Sequence, residues 1–348
     1  MEPTQGNPLI IRADASTQIG TGHLMRCLAL GQAWKDADGR VTLITACQNK
    51  DLLQRLKEEG FDLHPLACPY PDPSDWDYTK DILAAHPNAW VVLDGYHFDE
   101  VYQQWVKEVG HRLLVIDSAA HLKHYFADIV LNPYLHAEQL HYSCEPYTRL
   151  LLGTSYVLLR REFLAWKDWK REIPKLATRV LVTLGGSDPE NITLKVIQAL
   201  QKIDVPGLEA TVVIGASNPH ADTLKATAGQ SRVPIHLIHN APNMMELIAQ
   251  ADLAITAGGI TPWEMCFMGL PMLIMVTADN QRANVQTMHQ AGIAENLGWH
   301  KDVDEGKIAG QLKAMINSQG LRQSMSCAQR KMVDGLGPER VLLKMKES

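Results

Sequence analysis

Residues 9–26 read LIIRADASTQIGTGHLMR, an apolar run followed by a glycine turn and the start of a helical pattern. The apolar run at 9–12 has the length of a short buried strand, and the helical pattern extends from His23 to about Lys35. Such strand–turn–helix segments are typical of parallel βαβ units, which carry helices on both faces of the sheet. The segment therefore predicts an α/β fold.

The alternation of strand and helix signals continues along the chain in two series. The pattern loosens over 133–174, and the second series opens with an apolar run at 179–184 and another glycine turn. Two similar halves in tandem predict two Rossmann-like domains facing a cleft, with ligands bound beyond the carboxyl ends of the strands. The predicted bounds are 1–168 for the N-terminal domain, 175–335 for the C-terminal domain, and 336–348 for a C-terminal helix that packs back on the N-terminal domain.

The composition is that of a globular protein with a net charge of −6. Nucleic-acid-binding domains usually carry a basic face, so we expect no nucleic-acid partner. No apolar run approaches the ~18 residues of a membrane span. Residues 1–8 are polar and lack a signal-peptide pattern, and the six cysteines form no C-x-x-C pair. We therefore expect a cytoplasmic monomer with free thiols and no membrane span.

The first glycine turn suggests a catalytic group. Gly20 and Gly22 remove side chains where a ligand or another backbone must come close. His23 lies near the helix start, where the helix dipole disfavours a protonated imidazole, and a neutral imidazole can act as a general base. The spacing alone leaves a second interpretation open, a tight turn with a capping or packed histidine. Arg12 and Asp14 lie nearby in the sequence.

Two further glycine turns follow strands in the second half. Backbone N–H groups around Gly185 and Gly186 suit a diphosphate, although an ordinary βα loop has the same pattern. Gly259 precedes Thr261 and Glu264, whose spacing fits either a capping box or a carboxylate that binds a ribose diol. Together the two turns favour a nucleotide diphosphate, without the Walker lysine pattern.

A polar run, Asp279-Asn280-Gln281, follows the apolar run at 271–276. Ligand contacts collect beyond strand ends, which favours a binding role for these side chains. The same residue types also suit a helix N-cap, so this alternative stays open.

The fourteen histidines raise the question of a metal site. The closest groupings are His121 with His124 and His136 with His141, and both lack the H-E-x-x-H pattern and cysteine partners. We therefore expect surface or capping histidines, no bound metal and no cofactor.

The motif R-A-D-A-S-x-x-I-G-x-G-H-x-x-R-C-L-x-L over residues 12–30 resembles the signature of the UDP-sugar hydrolase of pseudaminic acid biosynthesis. That family acts on UDP-2,4-diacetamido-2,4,6-trideoxy-β-L-altropyranose, and it is itself similar to the GT-B glycosyltransferase that adds N-acetylglucosamine to lipid-linked muramyl-pentapeptide. Further stretches resemble the family along nearly the whole chain. They are Asp94-Gly95-Tyr96, Asp117-Ser118, Leu131-Asn132, Leu152-Gly153 with Tyr156 and Arg160, the turns at 185–188 and 258–264, and Ala278-Asp279-Asn280-Gln281.

The resemblance implies a GT-B architecture and hydrolysis with inversion, in which water attacks the anomeric carbon of the UDP-sugar and UDP is released with the free sugar. His23 matches the family's catalytic histidine, as general base or as a positioner of water. Asp14 is the alternative base or the group that orients His23. The expected substrate-binding residues are Arg12, Gly20, Gly22, Tyr96, Gly185, Gly186, Ser187, Met244, Gly259, Thr261, Glu264, Asp279, Asn280 and Gln281.

The resemblance also distributes roles among these residues. Tyr96 and Asn280 line the sugar site, and the 185–187 turn binds the diphosphate. Glu264 binds the ribose hydroxyls, and the loop to Met244 contacts uracil.

Two other functions fit the same residues. A GT-B glycosyltransferase with a UDP-amino-sugar donor would share the nucleotide site and carry an exposed apolar and basic patch for its acceptor. A non-catalytic nucleotide-sugar sensor would bind the same small-molecule partner without turnover.

Overall fold

The computed structural model describes residues 8–16, 18–215, 218–241 and 243–348. Residues 1–7, part of the polar segment from which we predict no targeting signal, lie outside the described residues. The strands are β1 (Pro8–Ala13), β2 (Arg40–Thr45), β3 (Asp62–Pro65), β4 (Trp90–Asp94), β5 (Arg112–Ile116), β6 (Ile129–Asn132), β7 (Arg149–Leu152), β8 (Arg179–Thr183), β9 (Glu209–Ile214), β10 (Ile235–His239), β11 (Leu253–Ala257), β12 (Met272–Val276) and β13 (Glu295–Trp299). The α-helices are α1 (Gly22–Asp36), α2 (Lys50–Glu58), α3 (Pro73–Ala85), α4 (Glu100–Glu108), α5 (Ile192–Leu200), α6 (Ala221–Gly229), α7 (Met244–Gln250), α8 (Thr261–Met268), α9 (Arg282–Gln290), α10 (Glu305–Asn317), α11 (Gln319–Gln329) and α12 (Gly337–Lys346).

The first sheet has the strand order β3-β2-β1-β4-β5-β6-β7, and its neighbouring strands are parallel. Both of its faces are buried. Leu9 and Ile11 of β1 join the core on one face with Leu28 of α1, whereas Ile10 joins the core on the other face with Tyr102 of α4. Strands that are covered on both faces need near-continuous apolar runs, which is why the sequence predicts most of them.

The second sheet has the strand order β10-β9-β8-β11-β12-β13 and is also parallel. Its core packs Val182 of β8 and Ile255 of β11 with Val196 of α5 and Leu312 of α10. The two sheets confirm the predicted α/β fold with two Rossmann-like halves.

The chain forms two compact units, Met1–Arg161 with Gly335–Ser348 and, between them in sequence, Glu162–Asp334. Helix α12 therefore belongs to the first unit. Its side chains Val341 and Leu342 are buried in the core that also contains α1.

The change from the first to the second unit falls between residues 161 and 162, earlier than the 168–175 interval expected from the sequence. The guanidinium of Arg161 is paired with Asp36 of α1 at 2.6 Å. Two residues later, the ring of Phe163 packs edge-on against Phe267 of α8. Arg171, in the charged segment after Phe163, donates to the backbone carbonyls of Ala251 and Ile248, so this segment is packed on the second unit.

Because each sheet is parallel, the carboxyl ends of its strands meet at one edge, where the connecting loops collect. We therefore expect candidate ligand-binding residues at that edge of each unit. Over the residues that the structure describes, none of the helices has the length and apolar character needed to cross a bilayer.

Candidate functional site

The imidazole of His23 is paired with the carboxylate of Asp94. His23 lies in the first turn of α1, and Asp94 is the last residue of β4, the strand beside β1. Nδ1 of His23 is 2.5 Å from Oδ1 of Asp94. An ionised carboxylate only accepts hydrogen bonds, so Nδ1 carries a proton, and in this tautomer Nε2 presents its lone pair. The side chain of His23 is 11% exposed, which leaves an edge open to a ligand.

Asp94 is held in place and kept ionised by its neighbours. Its side chain is completely buried, and Arg26 donates to both carboxylate oxygens, from Nε at 2.6 Å and from Nη2 at 2.5 Å. Burial alone would raise the pKa of Asp94, but the charges of Arg26 and then His23 lower it well below its usual range. The carboxylate can therefore stabilise the imidazolium that forms when His23 takes a proton.

Tyr96 lies beside this pair. Its ring is 5.5 Å from the ring of His23, edge-on, and its hydroxyl is hydrogen-bonded to the hydroxyl of Ser118. Tyr96 remains 38% exposed, whereas Ser118 is buried. The structure thus brings Tyr96, a predicted sugar-site residue, next to His23.

Arg12 belongs to a separate, buried network. Its guanidinium donates to Asp14 at 2.7 Å and to Asp75 of α3 at 2.5 Å, and lies over the ring of Phe98. Arg12 is 0% exposed, although the sequence predicts a substrate-binding role for it. A ligand cannot reach a side chain that is covered in this way, so the geometry assigns Arg12 to joining β1 and α3.

Asp14 is part of the same network and makes no hydrogen bond to His23 within the described residues. Oδ1 of Asp14 accepts from the backbone N–H of Ala46 at 2.6 Å, and Oδ2 lies 3.1 Å from Nε2 of His97. Sequence reasoning left open whether Asp14 orients His23. The structure gives that position to Asp94 instead.

The first glycine turn is shaped by Gly20. Its φ of +75° lies in the left-handed region that favours glycine, and its N–H donates to the carbonyl of Ser16 at 2.9 Å. Gly22 is the first residue of α1, and the N-cap Thr21 makes no side-chain cap hydrogen bond. The turn therefore leads the chain directly into the helix turn that carries His23.

In the second unit, the turn after β8 contains Gly185, which has a φ of +101°. A Cβ atom on Gly215 would lie only 1.9 Å from the carbonyl oxygen of Gly186, so the loops after β8 and β9 touch at these glycines. Ser187 is buried, and Asp188 accepts from the first N–H groups of α5 at 2.8 Å. The start of α5 is thus occupied by its own carboxylate, and only the loop amides before it are candidates for phosphate binding.

The turn before α8 has a different character. The N-cap residue is Ile260, and no side chain caps the helix, so the capping box considered for Thr261 and Glu264 is not formed. A Cβ atom on Gly259 would meet no atom within 4 Å. Packing therefore gives no reason for a glycine at this position, whereas a ligand that approaches the helix start would. Glu264 is buried on the same helix.

Asp279, Asn280 and Gln281 form a short 3-10 helix after β12 and do not cap α9, whose N-cap lacks a side-chain hydrogen bond. Oε1 of Gln281 accepts from the N–H of Gly258 at 3.2 Å and from that of Thr277 at 3.0 Å. Gln281 thus joins the turn before α8 to the turn after β12. Asp279 and Asn280 are exposed at the same strand ends.

Met244, the residue expected near uracil, is the half-buried first residue of α7, just after β10. It therefore lies at the helix start that follows the loop after β10, a strand of the second sheet.

Two histidines that the sequence marked only as surface or capping residues have carboxylate partners. Nδ1 of His121 is 2.9 Å from Asp117, and Nε2 of His124 is 3.2 Å from Glu145. No group of three or more potential metal-ligating side chains occurs among the residues with described positions.

Sequence reasoning missed the roles of Asp94 and Ser118. Asp94 ends the clearest apolar run of the first half, and a lone carboxylate at the end of a buried strand is a signal for a site residue. Its pairing with His23 depends on β4 lying next to β1, which no local pattern reveals.

Residues 179–336 match the model of the glycosyltransferase family 28 C-terminal domain. The chain is 27% identical to an uncharacterized protein of Methanocaldococcus jannaschii over 79% of its length, and this match spans 56% of that protein. It is 26% identical to the spore coat polysaccharide biosynthesis protein SpsG of Bacillus subtilis, over 95% of both chains.

A third relative is the UDP-2,4-diacetamido-2,4,6-trideoxy-β-L-altropyranose hydrolase of Campylobacter jejuni, 25% identical over 72% of this chain and 85% of that protein. Among solved structures, Acinetobacter baumannii MurG superposes with a TM-score of 0.68 at 13% identity, covering 98% of this chain and 100% of MurG. An S. aureus MnaA–UDP co-structure superposes with a TM-score of 0.69 at 12% identity, covering 98% and 96%. The chain has the GT-B fold. At these identities the structural likeness shows the fold alone.

Proposed function

We propose that this protein hydrolyses a UDP-linked 2,4-diacetamido-2,4,6-trideoxy sugar at the anomeric carbon, with inversion, and releases UDP and the free sugar. The observation that carries the proposal is the pair of His23 and Asp94, a general base with a buried, ionised partner. The C. jejuni relative named as such a hydrolase and the glycosyltransferase family 28 match of residues 179–336 support the nucleotide-sugar class.

The reaction follows from the chemistry of the pair. Nε2 of His23 takes a proton from water as the water oxygen bonds to the anomeric carbon. The bond from that carbon to the β-phosphate oxygen breaks, and its electron pair leaves with UDP. Attack from the opposite face inverts the configuration. A positioned general base typically contributes about 10²- to 10⁴-fold to the rate.

The leaving group needs stabilisation of its developing charge, which we assign to the second unit. The loop amides at Gly185, Gly186 and Ser187 and the uncapped start of α8 at Gly259 and Thr261 are donors of the required kind. Good charge stabilisation lets a nucleoside diphosphate leave with little acid assistance.

The remaining substrate contacts follow the resemblance. We assign Glu264 to the ribose hydroxyls, Met244 to the uracil side, and Tyr96 and Asn280 to the sugar, with Asp279 as a further substrate-binding residue. Gln281 holds the two turns together through its carbonyl oxygen. We further propose a cytoplasmic monomer that supplies free sugar for pseudaminic acid biosynthesis and has no nucleic-acid partner.

The test is UDP release from purified protein and UDP-2,4-diacetamido-2,4,6-trideoxy-β-L-altropyranose. We expect release without any added acceptor, and a loss of release in His23→Ala with UDP binding retained. Equal UDP release by the wild-type protein and His23→Ala would contradict the assignment of His23 as the general base.

A glycosyltransferase is the second candidate, because residues 179–336 match a glycosyltransferase domain and MurG shares the fold. UDP release that requires an added lipid-linked or protein acceptor would favour it. NMR of the sugar product separates the two functions, since only hydrolysis gives a reducing sugar.

A further inference from the structure

A second histidine, His121, contacts the ring of Tyr96 in the first unit, as His23 does. The ring of Tyr96 is 5.5 Å from that of His23 and 5.4 Å from that of His121, and both contacts are edge-on. The hydroxyl of Tyr96 is bonded to Ser118, which precedes His121 by three residues in the same loop. Both imidazoles therefore contact the ring of one exposed tyrosine, Tyr96.

His121 is held by a carboxylate in the same manner as His23. Nδ1 of His121 is 2.9 Å from Oδ1 of Asp117, which directly follows β5, as Asp94 ends the neighbouring strand β4. Asp117 is 1% exposed, so this carboxylate is buried, as Asp94 is. Two adjacent strands thus end in a buried aspartate that fixes the ring nitrogen of a partly exposed histidine.

The loop is built around this carboxylate. Asp117 also accepts from the backbone N–H of Ala120 at 2.6 Å and from the hydroxyl of Tyr125 at 3.1 Å. Ala120 has a φ of +49°, a left-handed conformation that is unfavourable for a residue with a Cβ atom. A strained residue directly before His121 persists only where surrounding contacts enforce it, and such positions cluster at binding sites.

The remaining nitrogen of His121 is unused within the described part of the chain. Nδ1 is bonded to Asp117, and Nε2 has no hydrogen bond to any described residue. The side chain is 25% exposed, more than that of His23. In the tautomer with the proton on Nδ1, Nε2 of His121 is a hydrogen-bond acceptor.

We propose that His121 is a specificity-determining residue, whose Nε2 accepts a hydrogen bond from a hydroxyl or acetamido N–H of the sugar carried by UDP. The inference rests on the proposed nucleotide-sugar site but not on the hydrolytic step. In this proposal His23 takes a proton from water at the anomeric carbon, and His121 accepts a hydrogen bond from a substituent of the same sugar.

Two matched substitutions test this role. In His121→Asn, the amide nitrogen replaces Nδ1 and keeps a donor to Asp117, but nothing replaces Nε2. In His121→Gln, the longer side chain places its amide near the position of Nε2. His124→Asn is the control, because this histidine three residues away is also paired with a carboxylate, that of Glu145.

Calorimetry with UDP and with UDP-2,4-diacetamido-2,4,6-trideoxy-β-L-altropyranose separates a sugar contact from a structural effect. Each substitution is made in the His23→Ala protein, which replaces the wild type in the comparison because it does not consume the UDP-sugar. We expect His121→Asn to bind the UDP-sugar about tenfold more weakly, as for the loss of one hydrogen bond, and to bind UDP like the His23→Ala protein. His121→Gln should recover part of the loss, and His124→Asn should match the His23→Ala protein with both ligands.

An unchanged UDP-sugar affinity in His121→Asn overturns the inference, as does an equal loss of UDP and UDP-sugar affinity, which indicates a structural role. Failure of the proposed function gives a different result. In that case the wild type releases no UDP, while the UDP-sugar penalty in His121→Asn is still observed.

Discussion

Nδ1 of His23 and Oδ1 of Asp94 are 2.5 Å apart, although 71 positions separate the two residues in the sequence. The pair exists because β4 lies beside β1, which places the end of β4 next to the helix that follows β1. A base fixed in this way needs little reorganisation when it takes a proton.

Replacing Asp94 by Asn should lower the rate of UDP release about 10²- to 10⁴-fold, because the imidazolium of His23 loses its ionised partner. UDP affinity should stay within twofold, since Asp94 is completely buried in the first unit and has no proposed role in binding the nucleotide. Steady-state kinetics and UDP titration check both expectations. Asp14→Asn is the matched comparison, and a larger rate loss there than in Asp94→Asn would return the orienting role to Asp14.

Acid should destabilise the protein partly through Asp94. Burial alone would raise the pKa of this carboxyl, but Arg26 and His23 lower it below the value of about 3.9 expected in the unfolded chain. As the pH falls below about 5, the unfolded chain takes up a proton here before the folded chain does, so the free energy of unfolding decreases.

Urea unfolding between pH 7 and pH 3.5 measures this dependence. The decrease should be shallower in Asp94→Asn than in the wild type. Asp77→Asn, which removes an exposed carboxylate of the same unit, should keep the wild-type dependence. Identical pH profiles for wild type and Asp94→Asn would contradict the prediction.

Arg12 should matter for stability and not for substrate affinity. Arg12→Met keeps most of the side-chain volume but leaves Asp14 and Asp75 without their shared cation in a buried site. Breaking such a pair from one side typically costs about 3–5 kcal/mol in the free energy of unfolding. Urea unfolding should show this loss at 25 °C, while UDP-sugar affinity in the remaining folded protein should be unchanged. Normal stability combined with weak UDP-sugar binding would show that Arg12 contacts the ligand.

Gly259 should matter for UDP affinity and not for stability. A Cβ atom there meets no neighbour, so Gly259→Ala should leave the free energy of unfolding within about 0.5 kcal/mol. The methyl group would stand where a phosphate approaches the start of α8, and we expect UDP affinity to fall at least tenfold. Gly310→Ala, at an equally open glycine within α10, is the control and should retain UDP affinity. Calorimetry with UDP decides the matter, and equal affinities for both variants would remove the start of α8 from the nucleotide site.

Apolar runs in the sequence mark the buried strands, whereas no such run marks the edge strands β3 and β13. The run at 90–94 coincides with β4, in which every residue is buried. At the edge of the first sheet, β3 has the sequence DLHP and no buried residue, so no apolar run marks it. At the edge of the second sheet, β13 contains Gly298 and an irregular register, which obscures its pattern.

Local patterns single out candidate residues that the chain itself brings together, and they miss contacts that the fold makes. His23 and Gly20 share one turn, and Gly185 and Gly186 share another. The partner Asp94 depends on strand order, which single-sequence patterns do not encode. Arg12 shows the same dependence, because its place beside a glycine turn predicts ligand contact, whereas its burial depends on Asp75 from a distant helix.

Helix α12 completes the first unit from the other end of the chain, after the whole of Glu162–Asp334 has been synthesised. The second unit is continuous in sequence and can fold as soon as it leaves the ribosome, since domains generally fold as units during synthesis. Helix α1, which carries His23, packs against α12 in the same core, so this packing forms only after α12 has been synthesised. The order of translation therefore lets the second unit fold before the first unit is complete.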